Sequence, residues 1–332
     1  MDASPPLPRI RLLATGGTIA GAHNEGGGYE SAAISTETLL EAVPGLAAVA
    51  AIEVEQVAHI GSQDMDEKVW LKLAATAQQA LDDPAIAGVV ITHGTDTMEE
   101  TAYFLNLVLK TEKPVVLVGA MRPATAISPD GPMNLYNAIC VATHRESATR
   151  GVLVVSNDEI HFAREIAKSN TTQVGTFKSP NRGLAGFVNR GRLHFFGPTV
   201  LKHTSASEFA PCELTKMPRV DIIYAYAGVP RDLIDASVEA GARGIVIAGV
   251  GAGNMNKSVQ AACSDAVKAG VVVVRSSRTG GGIVARNIEI DDDRAGFVVA
   301  EELNPAKSRV LLMLGLSRGL NMAALQSLFT IY

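Results

Sequence analysis

The sequence predicts a two-domain α/β protein, with a larger N-terminal domain holding a mainly parallel sheet flanked by helices and a smaller C-terminal α/β domain. Three observations predict it. Short runs with both faces apolar alternate with helix-length runs, the pattern of a parallel sheet covered on both sides. The alternation breaks in the stretch bounded by Pro198 and Pro218 and then restarts. The chain has 332 residues, 47% of them hydrophobic and 19% charged, enough for one large or two ordinary cores.

In the first domain, residues 1–195, strands are expected at 9–13, 52–57, 88–91, 115–119 and 151–155, with helices at 36–42, 66–81 and 99–109. Asp66 reads as an N-cap, with Val69 and Leu73 on one face, and Asp83-Pro84 closes that helix before the next strand. Residues 196–218 read as a linker, polar from Lys202 to Ser207 and punctuated by Pro211 and Pro218. The second domain, 219–332, restarts with strands at 220–224, 244–248 and 271–275, and helices near 230–240 and 258–269. No tandem repeat or low-complexity tract is visible.

Composition excludes several classes. The longest apolar runs, such as 271–274, are strand-sized and far short of a membrane span. A net charge of −5 gives no reason to expect nucleic acid, which wants a basic face. Cys140, Cys212 and Cys263 are isolated, and an odd count without Cys-x-x-Cys argues against a disulfide framework or a zinc site. No two of the seven histidines stand four residues apart, so no metal site is expected. Met1 to Pro8 lacks an apolar leader core, so the cytoplasm is the expected compartment, or the periplasm if a leader has been removed.

Two strand-end turns carry the chemistry. Residues 14–20 read Ala-Thr-Gly-Gly-Thr-Ile-Ala, and residues 92–100 read Thr-His-Gly-Thr-Asp-Thr-Met-Glu-Glu. Each follows an apolar run, and each delivers a threonine, Thr18 and Thr95. Two parallel strands ending this way place two hydroxyls at the carboxyl edge of one sheet, where open α/β folds bind ligands. Each segment also has a plainer reading. Gly16-Gly17 fits a tight turn or a phosphate cradle, although the P-loop pattern is absent. Asp96 fits either a helix N-cap or a ligand carboxylate. Lys168, in a polar stretch running to Gln173, is either solvated or the cation that activates Thr95. Residues 19–31, with Gly26-Gly27-Gly28 as a hinge and Tyr29 beyond it, read as a mobile lid or as a surface loop.

Two further glycine patterns are set aside. Residues 249–254 approach a dinucleotide fingerprint, but Asn254 stands where a glycine is required. Residues 315–319 spell a nucleophile elbow, but Asn304-Pro305 starts a helix there, and no histidine or acid follows Ser317.

The segments 14–20, 61–65 (Gly-Ser-Gln-Asp-Met), 92–100, 119–123 (Gly-Ala-Met-Arg-Pro), 130–138, 168–178 and 274–278 together resemble the bacterial type II L-asparaginases. They occur in that family's order, and the resemblance runs from Leu7 to Tyr332. It implies hydrolysis of asparagine to aspartate and ammonia without a cofactor, by a homotetramer built as a dimer of intimate dimers. Thr18 matches the nucleophile that forms the acyl-enzyme, and Tyr29 the lid tyrosine that helps activate it. Thr95, Lys168 and Asp96 match the group that assists proton transfer and orients water. Ser62, Gln63 and Asp96 match residues that hold the substrate's α-carboxylate and α-amine. Asn254 and Glu289 match residues reaching in from the partner subunit.

The chain departs from the enteric pattern in three ways. It has no cysteine before Cys140 to form their cystine, it is glycine-rich over 279–284, and it carries Met255. The last two leave turnover of glutamine open, so a glutaminase-asparaginase of broad specificity is the alternative. A non-catalytic amino-acid-binding protein on the same fold is a third reading. Retention of Thr18 and Lys168 argues against it, because binding needs neither.

Overall fold

Strands that are apolar on both faces need cover on both sides. The computed structural model, which describes residues 6–23, 29–30 and 35–332, shows how the chain supplies it. The chain divides after Glu213 into two compact units. In the first, the strands are β1 (Arg9–Gly16), β2 (Ala22–His23), β3 (Tyr29–Glu30), β4 (Ala51–Ile60), β5 (Ile86–Thr92), β6 (Val115–Val118), β7 (Val152–Ser156), β8 (Glu159–Phe162), β9 (Ala167–Lys168), β10 (Phe177–Lys178), β11 (Gly186–Asn189) and β12 (Arg192–Phe195). The helices are α1 (Thr36–Glu41), α2 (Glu67–Asp82), α3 (Met98–Val108) and α4 (Gly131–Thr143).

Eight of these strands form one sheet in the order β12-β11-β8-β7-β6-β5-β1-β4. From β4 to β7 the pairing is parallel. From β7 to β12 it is antiparallel. The centre of the parallel part is fully buried, including Leu12 and Leu13 of β1, Val89 to Ile91 of β5, and all of β6. From β1 the chain steps to β4 on one side, then returns to β5 on the other side of β1. The strand order therefore reverses at β1 and β5, and such a switch point leaves a crevice beyond the strands' carboxyl ends. Both threonine turns lie there.

Helix starts follow local chemistry. Asp66 caps α2 by accepting the Val69 N–H at 2.9 Å, and α2 buries Trp70, Leu73, Ala74 and Ala77. Lys168, read from sequence as part of a polar loop, lies on β9, which pairs only with β10 among the described strands. The lid glycines Gly26, Gly27 and Gly28 lie outside the described residues.

The second unit has β13 (Val220–Tyr224), β14 (Gly244–Gly249), β15 (Val272–Ser277) and β16 (Val298–Val299) in one parallel sheet. Helices α5 (Asp232–Glu239), α6 (Lys257–Lys268), α7 (Asp292–Ala295), α8 (Pro305–Ser317) and α9 (Met322–Ile331) complete it. Asn304 caps α8 through the Lys307 N–H at 3.0 Å. Ser317 ends that helix and donates to the Leu314 carbonyl at 2.8 Å, so residues 315–319 form no nucleophile elbow. Cys140, Cys212 and Cys263 are all free thiols.

This unit holds a charge pair with no solvent exposure on either side chain, Arg275 and Asp292. The pairing is bidentate, at 2.6 and 2.7 Å. Arg275 also donates to the Ala252 and Gly253 carbonyls, while Asp292 accepts the Asn287 N–H. Desolvating two ions costs about as much as their attraction returns, so such a pair shapes loops more than it stabilises. Arg275→Met alone strands a buried carboxylate and is expected to cost about 3–5 kcal/mol of unfolding free energy. Arg275→Met with Asp292→Leu is expected to recover most of that loss. Urea titration of both variants checks this; a double variant as unstable as the single one would show that the charges themselves hold the unit.

Candidate active site

The two threonine turns touch main chain to main chain. At Gly17, φ is +84°, and a Cβ built there would lie 2.3 Å from Gly94 N and 2.5 Å from Gly94 Cα. No side chain fits at Gly17, for steric and conformational reasons at once. A Cβ on Gly94 would in turn lie 2.6 Å from Ser62 Oγ and 3.1 Å from Ser62 N. Thr15 Oγ1 donates to the Thr92 carbonyl at 2.8 Å, stapling the ends of β1 and β5. The residue before Thr18 thus packs on the residue before Thr95, at the carboxyl edge of adjacent strands.

Backbone N–H groups of the two glycine turns are natural candidates to hold an oxyanion. The Gly17 N–H is committed elsewhere: it donates to the Ile60 carbonyl at 3.0 Å. The turn therefore seats Thr18 rather than offering this donor.

Ser62 and Gln63 lie on the turn after β4. Ser62 is buried; its Oγ accepts the Asp96 N–H at 3.1 Å, and its carbonyl accepts the Thr97 hydroxyl at 2.7 Å. Gln63 is exposed on the same turn. The residue preceding α3 is Thr97, whose side chain caps nothing there, so Asp96 is not the N-cap. The Asp96 carboxylate instead accepts from Lys168 Nζ at 2.7 Å, and the same ammonium donates to Thr95 Oγ1 at 2.8 Å. The Lys168 side chain is 17% exposed and that of Asp96 59% exposed. An ammonium donating to a hydroxyl oxygen lowers the cost of taking the hydroxyl's proton.

The structure thus brings Thr18, Ser62, Gln63, Thr95, Asp96 and Lys168 to one edge of the first unit. Tyr29 lies on β3, paired with His23, and its side chain falls outside the description. Asn254 and Glu289 both belong to the second unit. Asn254 closes a loop through paired bonds with Val250 at 2.8 and 2.9 Å, and Glu289 is exposed between β15 and α7.

Three residues that the motifs did not single out are bonded into the surrounding segments. Asp130 accepts the Met121 and Arg122 N–H groups at 3.0 and 2.9 Å and holds the loop after β6. The buried Glu99 accepts the Lys168 N–H at 2.7 Å. His93 is fully buried, and its Nδ1 lies 2.7 Å from the carbonyl of the next residue, Gly94. A carbonyl only accepts, so Nδ1 carries the proton; Nε2 has no hydrogen-bond partner among the described residues. The signal for all three was present, a polar residue at a helix start or in the turn after an apolar run, but sequence alone does not tell a buried polar group from a solvated one.

Residues 9–201 match the family model described as Asparaginase, N-terminal, and residues 219–329 match the Glutaminase/Asparaginase C-terminal domain. The chain belongs to the asparaginase family. Among its relatives are L-asparaginase 2 of Escherichia coli, 48% identical over 98% of this chain and 94% of that protein, and the Haemophilus influenzae protein named Probable L-asparaginase periplasmic, 49% identical over 97% and 93%. The Glutaminase-asparaginase of Pseudomonas fluorescens biotype A is 41% identical over 100% and 92%. A crystal structure titled as a probable cytoplasmic L-asparaginase from Campylobacter jejuni superposes with a TM-score of 0.92 at 44% identity, covering 98% of this chain and all of that one. No helix among the described residues is long and apolar enough to cross a membrane.

Burial lowers the His93 pKa from its ordinary 6.5 to about 4. The unfolded chain takes up this proton first as pH falls. Stability is therefore fully present above the ordinary value and is lost as pH drops toward about 4. Between about pH 7 and 4.5 the linkage is about 2 kcal/mol. The wild type should lose that much more unfolding free energy over this range than His93→Gln. Equal slopes would show that His93 titrates alike in both states.

Proposed function

We propose that this asparaginase-family amidohydrolase hydrolyses L-asparagine to L-aspartate and ammonia through a covalent threonyl intermediate on Thr18. The observation that carries the reading is the Gly17–Gly94 contact, which ties the Thr18 turn to the turn bearing Thr95 and its bonded Lys168. Thr18 Oγ attacks the side-chain amide carbon and gives up its proton, with Tyr29 assisting. The C–N bond breaks, and the nitrogen leaves as ammonia once protonated. Water then attacks the ester, its proton passing through the Thr95–Lys168 pair, and aspartate leaves with Thr18 restored. Ser62, Gln63 and Asp96 hold the α-carboxylate and α-amine.

In this reading Asn254 and Glu289 complete the site of a partner subunit within a homotetramer, a dimer of intimate dimers. The domain limits that go with it are 1–195 and 219–332, joined by 196–218. No cofactor is needed by this chemistry. Cytoplasmic residence is proposed as well, and cell fractionation tests it against the periplasm.

Thr18→Ala should keep the far-ultraviolet dichroism of the wild type and lose about three or more orders of magnitude in kcat. Retention of more than about a tenth of wild-type kcat would remove Thr18 from the nucleophile's role. Ammonia release measured side by side should favour asparagine over glutamine. Comparable rates would select the broad glutaminase-asparaginase reading, which the Pseudomonas relative's name favours.

Mixed refolding tests the shared site. In a mixed dimer of Thr18→Ala and an inactive Glu289 variant, one site carries both lesions and the other neither. Random pairing of equal amounts should leave about a quarter of all sites intact, by two-fold symmetry. Soluble tetramers that release no ammonia would mean that each site is built within one chain.

A further inference from the structure

We infer that Glu99 is a positioning residue for this reaction: its carboxylate holds the Lys168 main chain and thereby seats the ammonium on Thr95. The inference rests on the role given to Lys168 above.

Lys168 sits on a two-residue strand outside the eight-stranded sheet. The hairpin beyond it bonds largely to itself. Ser169 N and Oγ both donate to the Thr176 carbonyl, at 2.8 and 2.7 Å. Asn170 N donates to Thr176 Oγ1, which itself donates to the Asn170 carbonyl. The N–H groups of Thr172 and Gln173 both end on Asn170 Oδ1. A hairpin this short is marginal by itself. The Lys168 N–H leaves this closed set and donates to Glu99 Oε2 at 2.7 Å.

Glu99 stands in the first turn of α3, four residues after Thr95. One five-residue stretch therefore grips Lys168 at both ends. Thr95 Oγ1 and Asp96 Oδ1 take the ammonium, and Glu99 takes the main chain. Glu99 is only 9% exposed, so its carboxylate has given up most of its water. A charge-assisted bond to a main-chain donor and the positive end of a helix offset that loss. The Lys168 side chain is mostly buried and bonded at its tip, so few rotamers remain to absorb a shift of its Cα, and the ammonium's place on Thr95 depends on where that Cα is fixed. A displacement of about 1 Å takes a hydrogen bond outside its useful range.

The test compares Glu99→Met, which removes the acceptor, with Glu99→Gln, which keeps one, and with Lys168→Met. In Glu99→Met, kcat should fall about 30-fold or more while KM for asparagine stays within about threefold, the split expected of a positioning loss. Glu99→Gln should recover kcat to within about threefold of wild type. On the Lys168→Met background, Glu99→Met should add less than about threefold, because it acts through a lysine already gone. Should Glu99→Met fail to fold, Glu99→Asp replaces it. That variant keeps the charge at the helix start but withdraws the acceptor by one methylene, and it should show the same kcat loss.

A folded Glu99→Met or Glu99→Asp with kcat within threefold of wild type overturns the inference, provided Lys168→Met is itself impaired. So does a Glu99 loss that multiplies in full on Lys168→Met. If Lys168→Met keeps wild-type kcat, the role given to Lys168 fails first, and this inference falls with it by a different signature.

Discussion

The main-chain contact between Gly17 and Gly94 is the constraint on which the candidate site depends. Two parallel strands run about 4.8 Å apart. Loops leaving their ends carry side chains that ordinarily push them away from each other. Here two glycines remove that spacer, and a Cβ at Gly17 would overlap the Gly94 backbone. Ser62 closes against Gly94 from the far side, so three strand ends, of β1, β4 and β5, meet around two residues without side chains. Backbone does not shift as a side-chain tip does. The threonines that follow the two glycines inherit that rigidity, as a preorganised site requires.

Onto this base the stretch from Thr95 to Glu99 adds the charge. Its members divide the work by atom type. Asp96 presents an exposed carboxylate and Thr95 a buried hydroxyl, and the two share one ammonium. Its main-chain N–H at Asp96 and its hydroxyl at Thr97 are both turned onto Ser62. The turn after β4 and the start of α3 are thereby one bonded object. Ser62 cannot move without disturbing Asp96, which makes a binding role for the one inseparable from the placement of the other.

The second unit solves a different problem with different means. Its candidate residues sit on loops, and loops need an internal brace to hold a shape. The buried Arg275–Asp292 pair supplies one, because a planar guanidinium can address a carboxylate and two loop carbonyls at once. A lysine offers a point charge and could not match that geometry. The loop closed by Asn254 and the segment from Asn287 toward Glu289 both lean on this one pair.

The sequence by itself determined the fold class and most elements. Runs such as 88–91 and 244–248 are apolar on both faces and alternate with helix-length runs, the pattern of a covered parallel sheet. Asp66 and Asn304-Pro305 announced their helices because a cap is a local interaction, complete within four residues. The two threonine turns were legible for the same reason: an apolar run, a glycine and a threonine stand within a few neighbouring residues in each. What the tertiary structure alone decided was the partner of each polar group. Asp96 reads equally well as a cap or a ligand group until Lys168, 72 positions away, is seen to take its carboxylate. Glu99 looks like one more acid at a helix start until it is found buried under the Lys168 main chain. His93 looks like an exposed turn residue in a polar motif, yet it is sealed from solvent and held neutral by burial. Caps and periodicity are written within a few neighbouring residues, whereas burial and pairing are properties of segments that meet only when the sheet has formed.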